Sequence, residues 1–127
     1  MKHQIDSVKK FHEVYKLGYK NSPSVDLDHD KLQLRHSLMS EENDEYLEAA
    51  KNNDIIEVAD ALGDMLYILC GTIIEHGMQN KIEEVFDEIQ KSNMSKLGSD
   101  GKPIYRQDGK VMKGPNYFKP NILKILS

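Results

Sequence analysis

The amino-acid sequence predicts an all-α fold, a four-helix bundle followed by a loop and β-hairpin tail. Three observations point there. Apolar residues recur at helical spacing in four successive stretches, turn-forming residues punctuate each stretch, and Gly98, Gly101, Pro103, Gly109, Gly114, Pro115 and Pro120 crowd the chain after Lys96. With 127 residues, 39% hydrophobic and 30% charged, the chain can build one modest core and not two. The expected organisation is a single domain over 1–127, with a helical core at about 5–96 and a basic, Gly/Pro-rich tail over 97–127.

In the first stretch Ile5, Val8, Phe11 and Tyr15 mark a helix running to about Leu17, broken by "YKNSPSVDLD" with Pro23. A second helix spans about Asp30 to Asn52 and ends at the turn-prone Asn52, Asn53 and Asp54. Asp54 is a credible N-cap for the third, with Glu57 three positions on as its capping-box partner, and Gly77 stops that helix after His76. The fourth reads "NKIEEVFDEIQKSNMSK". Beyond it no long helix is possible, and "KPIYRQDGKVMKG" predicts a small hairpin turning at Asp108-Gly109. From Met65 to Ile74 the third helix is apolar nearly all round, which predicts burial on more than one face, and Gly71 would let a neighbouring backbone come close.

Several functional classes drop out. "MKHQIDSVKK" is too polar for a signal peptide and "MLYILCGTII" too short to span a bilayer, so a cytoplasmic protein without membrane attachment is expected. Cys70 is alone, which excludes an intramolecular disulfide and favours core filling. The net charge of −4 gives no general attraction to nucleic acid. Its distribution is uneven: residues 1–90 hold nine Lys/Arg against nineteen Asp/Glu, and residues 91–127 hold eight against two. There is no GxxxxGK, no GxGxxG and no CxxC, and no defensible Ser, His and Asp constellation.

The acids carry the chemistry. Ser40 to Asp64 contains nine acidic side chains in twenty-five positions. On a helical wheel Glu42 and Glu45 fall within about 60° of Leu38 and Ala49, inside the apolar stripe of the second helix. Glu57, Asp60, Asp64, Tyr67 and Gly71 form one stripe of the third. Short-linked helices pack antiparallel, so the two stripes can face each other. Close carboxylates repel by about 4 kcal/mol per pair at an effective dielectric near 20, and something positive must offset that. No His or Cys joins the set, and all-oxygen ligands suit Mg²⁺ or Mn²⁺ rather than zinc. Such a cation takes substrate phosphates as further ligands, which points to a phosphorylated substrate. The bland alternative is a solvated or salt-bridged acidic face. Capping alone accounts for Glu57, and Arg35, on the stripe of Leu38 and Glu42, would pair with the acids structurally.

Paired helices carrying ExxE (Glu42 to Glu45) and ExxD (Glu57 to Asp60), with Asp64 before "MLY", resemble the MazG-like superfamily of all-α nucleoside triphosphate pyrophosphohydrolases, which includes phosphoribosyl-ATP pyrophosphohydrolase and all-α dimeric dUTPases. The likeness spans about residues 30–118, including "SNMSKLGSDGKPIYRQDGKVMKGPNY". A departure is "ALGD", where relatives carry an acid at the position of Ala61; Asp60 shares a face with Asp64 and takes its place. The resemblance implies Mg²⁺-dependent hydrolysis of a nucleoside triphosphate between the α- and β-phosphates. Glu42, Glu45, Asp60, Asp64 and Glu57 would hold metal, and Glu42 or Glu45 would accept the proton of the attacking water. Asn93, Lys96, Lys110 and Lys113 would meet base, sugar or phosphates, and Tyr67 would stack on a base. Singly, a solvated surface explains each lysine better, and packing explains Tyr67 better. Relatives also imply a homodimer or higher homo-oligomer, which would cover the apolar third helix. Two other readings stand beside this one. One is phosphoribosyl-ATP pyrophosphohydrolase, a family that commonly has a histidine where Ile68 follows Tyr67. The other is a helical module that binds a cation or basic partner without turnover.

Overall fold

A computed structural model describes residues 1–127. Its five helices are α1 (Lys2–Val14), α2 (His29–Lys51), α3 (Ile55–Glu75), α4 (Ile82–Met94) and α5 (Ile122–Leu126). No helix is long and apolar enough to cross a membrane. The chain divides into two compact units, Met1–Asn80 and Lys81–Ser127, so α4 groups with the tail rather than with the first three helices.

In the first unit α3 packs against both α1 and α2. The α2–α3 connection is very short. Asn53 takes a left-handed backbone at φ 55°, and the Asp54 amide donates to Ala49 O at 3.0 Å. Asp54 caps α3 as predicted, accepting from the Glu57 amide at 3.1 Å. The reciprocal half of the capping box is not made, because the Asp54 amide is already committed to α2. Asp28 caps α2 in the same way, accepting from the Lys31 amide at 2.8 Å. After α1 the chain runs back along the end of α3: the Lys20 amide donates to Ile74 O and the Ser24 amide to His76 O, both at 3.0 Å. Gly77, at φ 69°, sits so close to this segment that a Cβ would collide with Ser22 O.

The core is small. Ile5 and Val8 of α1, Ala49 of α2, and Ala61, Cys70, Ile73 and Ile74 of α3 are its buried apolar side chains. Cys70 fills space, as its place in the apolar run predicted. Leu62, Leu66 and Leu69 remain 49%, 41% and 46% exposed within the single chain, apolar surface of the kind the expected partner subunit would cover. Only the C-terminal turns of α3 are enclosed on several sides, because there α1, α2 and the returning segment all converge.

In the second unit the tail folds along α4. Ser92 Oγ donates to Phe118 O at 2.8 Å, the Phe118 amide donates to Ser95 Oγ at 3.2 Å, and Glu88 accepts from the Asn121 amide at 3.0 Å. The turn lies at Asp108-Gly109, with Gly109 at φ 91°. It closes a single antiparallel bridge, Tyr105 to Val111, rather than two regular strands. Gly114 presses on the backbone of Leu97, where a Cβ would collide.

Candidate active site

The α2–α3 hairpin carries two charge clusters. Towards the start of α2 and the end of α3 lies a balanced one. Arg35, 8% exposed, donates from Nη2 to Ile68 O at 2.9 Å and from Nε to Thr72 Oγ1 at 3.1 Å, and its Nε stands 3.3 Å from Glu75 Oε2. Glu75, 2% exposed, also meets Lys31 Nζ at 3.2 Å and lies 3.9 Å from His12 Nδ1. Burial pulls the Arg35 guanidinium below its ordinary pKa, while the Glu75 carboxylate opposes that shift. Gly71 makes room for this cluster: a Cβ would lie 2.6 Å from Arg35 Nη2 and 3.0 Å from His12 Nε2. The close neighbour at Gly71 is therefore a guanidinium and an imidazole, not a backbone. Arg35 pairs with Glu75 rather than with the acids two turns further along its own stripe. Sequence reasoning missed this network. The available signal was Glu75 at the end of an apolar run, opposite an arginine on an apolar stripe.

Further along the hairpin lies the unbalanced cluster. Desolvation raises the Glu42 pKa first, followed by hydrogen bonding to Glu45 and by the negative charges of Glu45, Asp64 and Asp60. Every cause acts in the same direction, and no cation counters them. Glu42 Oε2 is sealed from solvent without a hydrogen-bond partner. Glu75 Oε2 also lacks a hydrogen bond, but Arg35 Nε stands 3.3 Å from it, whereas no cation is among the groups acting on Glu42; a sealed oxygen with neither is costly. The four acids predicted to converge are thus electrostatic neighbours. They are not drawn into a closed ligand set: no three His, Cys, Asp or Glu side chains adopt metal-ligating geometry. Like charges spread when nothing positive lies between them. Glu57 is not among the groups that perturb Glu42. It lines a groove of about 340 Å³ at the α2–α3 turn with Glu45, Glu48, Ala49, Asn52 and Asp54. Glu45 belongs to both places.

Tyr67, one turn beyond Asp64, is 42% exposed and meets Phe11 edge-on, ring centroids 5.5 Å apart. The remaining predicted contacts stand in the second unit. Asn93 is exposed near the end of α4, where its carbonyl accepts from the Lys96 amide at 3.2 Å. Lys96 is half-buried. Lys110 follows the Asp108-Gly109 turn, its amide donating to Asp108 Oδ1 at 3.1 Å. Lys113 Nζ lies 4.7 Å from the centre of the Tyr117 ring.

An all-oxygen set around a carboxylate with an orphaned buried oxygen fits a hard divalent cation in the chemistry of its donors. The family model of phosphoribosyl-ATP pyrophosphohydrolase matches residues 8–93, more than half of the chain and inclusive of both clusters. No curated protein matches the chain.

Proposed function

The chain belongs to the phosphoribosyl-ATP pyrophosphohydrolase family, within the MazG-like all-α superfamily, and from that premise we propose that it hydrolyses nucleoside triphosphates between the α- and β-phosphates, with Mg²⁺ held by Glu42, Glu45, Asp60 and Asp64. The observation that carries this reading is the surplus of negative charge around Glu42, with its orphaned oxygen. A purely structural cluster would look like the one at Glu75, where cations meet the acid. When bound, Mg²⁺ supplies charge neutralisation for the polyphosphate and lowers the pKa of the attacking water; Mn²⁺ can do the same.

The residues divide the work by exposure. Glu42 is half-buried and fixed on the stripe facing α3, which suits holding charge in place. Glu45 is exposed and reaches both the cluster and the groove, so it is the assigned acceptor of the water proton. Glu57, freed from the reciprocal capping role, extends the acidic lining of that groove. In the second unit, Asn93, Lys96, Lys110 and Lys113 are the proposed substrate contacts. Among the lysines, Lys113 is the one already engaged by an aromatic ring. The half-exposed Leu62, Leu66 and Leu69 give α3 an apolar face that a homodimer would cover.

A second reading follows from the family itself: phosphoribosyl-ATP as the substrate, with the same bond cleaved. One experiment addresses both. The purified chain is incubated with Mg²⁺ and either phosphoribosyl-ATP or a panel of nucleoside triphosphates, and pyrophosphate and monophosphate products are measured. Turnover of phosphoribosyl-ATP alone selects the second reading. No turnover of any of them leaves a cation-binding module.

A further inference from the structure

Beside the acid stripe, α1 and α3 line a half-open cavity of about 150 Å³ whose walls are Val8, Gly63, Leu66, Tyr67 and Cys70. His3, Gln4 and Ser7 complete it from the first turns of α1. We propose that this cavity receives the base of the substrate nucleotide and that its size selects a pyrimidine over a purine. The inference rests on the phosphate chemistry assigned above to the acid cluster.

Four observations support it. The first is volume: a half-open apolar cavity of about 150 Å³ takes in a single six-membered ring such as benzene, whereas a fused purine would project beyond its walls. The second is position. Gly63 lies between Asp60 and Asp64, and Tyr67 is one turn past Asp64, so the cavity begins about one helical turn, some 5 Å, from the carboxylates. A nucleotide with its phosphates at the acids reaches it with its base. The third is Gly63 itself, at which a Cβ would meet nothing within 4 Å. Glycine inside a helix is otherwise unfavourable, and here it leaves the cavity open where a side chain would narrow it. The fourth is the wall. Phe11 meets Tyr67 at an interplanar angle of 90° and in turn packs on Tyr15 at 4.5 Å, which fixes the Tyr67 ring as a stacking surface. At the rim, the Gln4 amide offers both donors and an acceptor to the edge of a base.

The competing occupant is a side chain from a second copy of the chain, since the neighbouring leucines of α3 are half-exposed. Selectivity separates the two. With Mg²⁺ present, kcat/KM is measured for deoxyuridine, deoxycytidine, deoxyadenosine and deoxyguanosine triphosphates. The expected result is a preference of about tenfold or more for the pyrimidines, and Gly63→Leu should erase it chiefly by raising KM for them. Equal rates, or a purine preference, overturn the proposal. So does a Gly63→Leu protein that keeps the preference but sediments as a smaller species, because the cavity then belongs to the interface.

Binding is followed separately by titrating uridine and adenosine monophosphates into the protein and recording NMR shifts at the Gly63 and Tyr67 amides. If no triphosphate is hydrolysed but uridine monophosphate still shifts both amides and adenosine monophosphate does not, the phosphate reading fails and the base site stands. If neither nucleotide shifts them, the base site fails, whatever the turnover. Should Gly63→Leu not fold, Gly63→Ala and Gln4→Leu provide milder versions, each expected to reduce the preference.

Discussion

Two charge clusters lie on one helical hairpin, and they differ in a single respect. At Glu75 the buried carboxylate is met by Arg35 and Lys31. At Glu42 the neighbours are Glu45, Asp60 and Asp64, all negative. A compensated buried ion network fixes the alignment of α1, α2 and α3 and asks nothing of solution. An uncompensated one raises the energy of the unliganded protein and is relieved by a cation. The first cluster therefore reads as scaffold and the second as the proposed site, although both centre on a glutamate of the same helical hairpin.

Breaking the balanced cluster should produce the largest effect. Glu75→Gln removes the charge that Arg35 and Lys31 face, leaving a buried guanidinium without its partner, and should destabilise the fold by about 3–5 kcal/mol. Urea denaturation followed by circular dichroism measures this; a loss below about 1 kcal/mol would show that the network is not structural.

The next test acts on the unbalanced cluster. Glu45→Gln keeps the shape and removes one charge, so pyrophosphate release should fall by about a hundredfold or more while helix content stays unchanged. Wild-type turnover in this variant would remove Glu45 from the mechanism.

Metal addition sharpens the contrast. Mg²⁺ at about one hundred times its Kd should stabilise the wild type by about 2.7 kcal/mol, visible as a rise in Tm. Asp60→Asn should blunt that rise, whereas Glu75→Gln should lower the starting Tm and leave the increment in place. A flat response of the wild type to millimolar Mg²⁺ would mark the acids as merely solvated.

The smallest effect expected is on pH dependence. The folded protein holds the Glu42 proton more tightly than the unfolded chain does, since its pKa is raised. Metal-free stability therefore falls as pH rises from the ordinary carboxylate value through the raised one. Glu42→Gln abolishes that loss, so without metal the variant should melt above the wild type at neutral pH. The gap should close once the pH drops below the ordinary carboxylate range. A gap independent of pH would mean that Glu42 does not titrate differently in the fold.

Much of this arrangement was legible in the chain. Asp54 announced the start of α3, and the wheel positions of Glu42, Glu45, Asp60 and Asp64 foretold their meeting, because a short turn between two periodic stretches leaves little choice but an antiparallel pair. The Asp108-Gly109 turn was also readable, but the regular hairpin expected around it is only one bridge. The five-residue α5 was not foreseen: Gly and Pro upstream exclude long helices, and so short a helix has almost no periodic signal. Grouping α4 with the tail was equally hidden, since it depends on Ser92, Ser95 and Glu88 catching the backbone of residues 118 and 121.

By itself the sequence determined the four long helices, the Asp54 cap and the stripe on which each acid lies, because these follow from local periodicity and backbone chemistry. Only the tertiary structure decided which acid would be neutralised. Glu75 and Glu42 both lie on α3-facing or α3-borne apolar surface, and the apolar run before Glu75 does not by itself name the cations that meet it. The difference arises from what distant segments bring alongside: α1 and the start of α2 deliver His12, Lys31 and Arg35 to one acid and nothing positive to the other, since charge pairing acts through space and not along the chain.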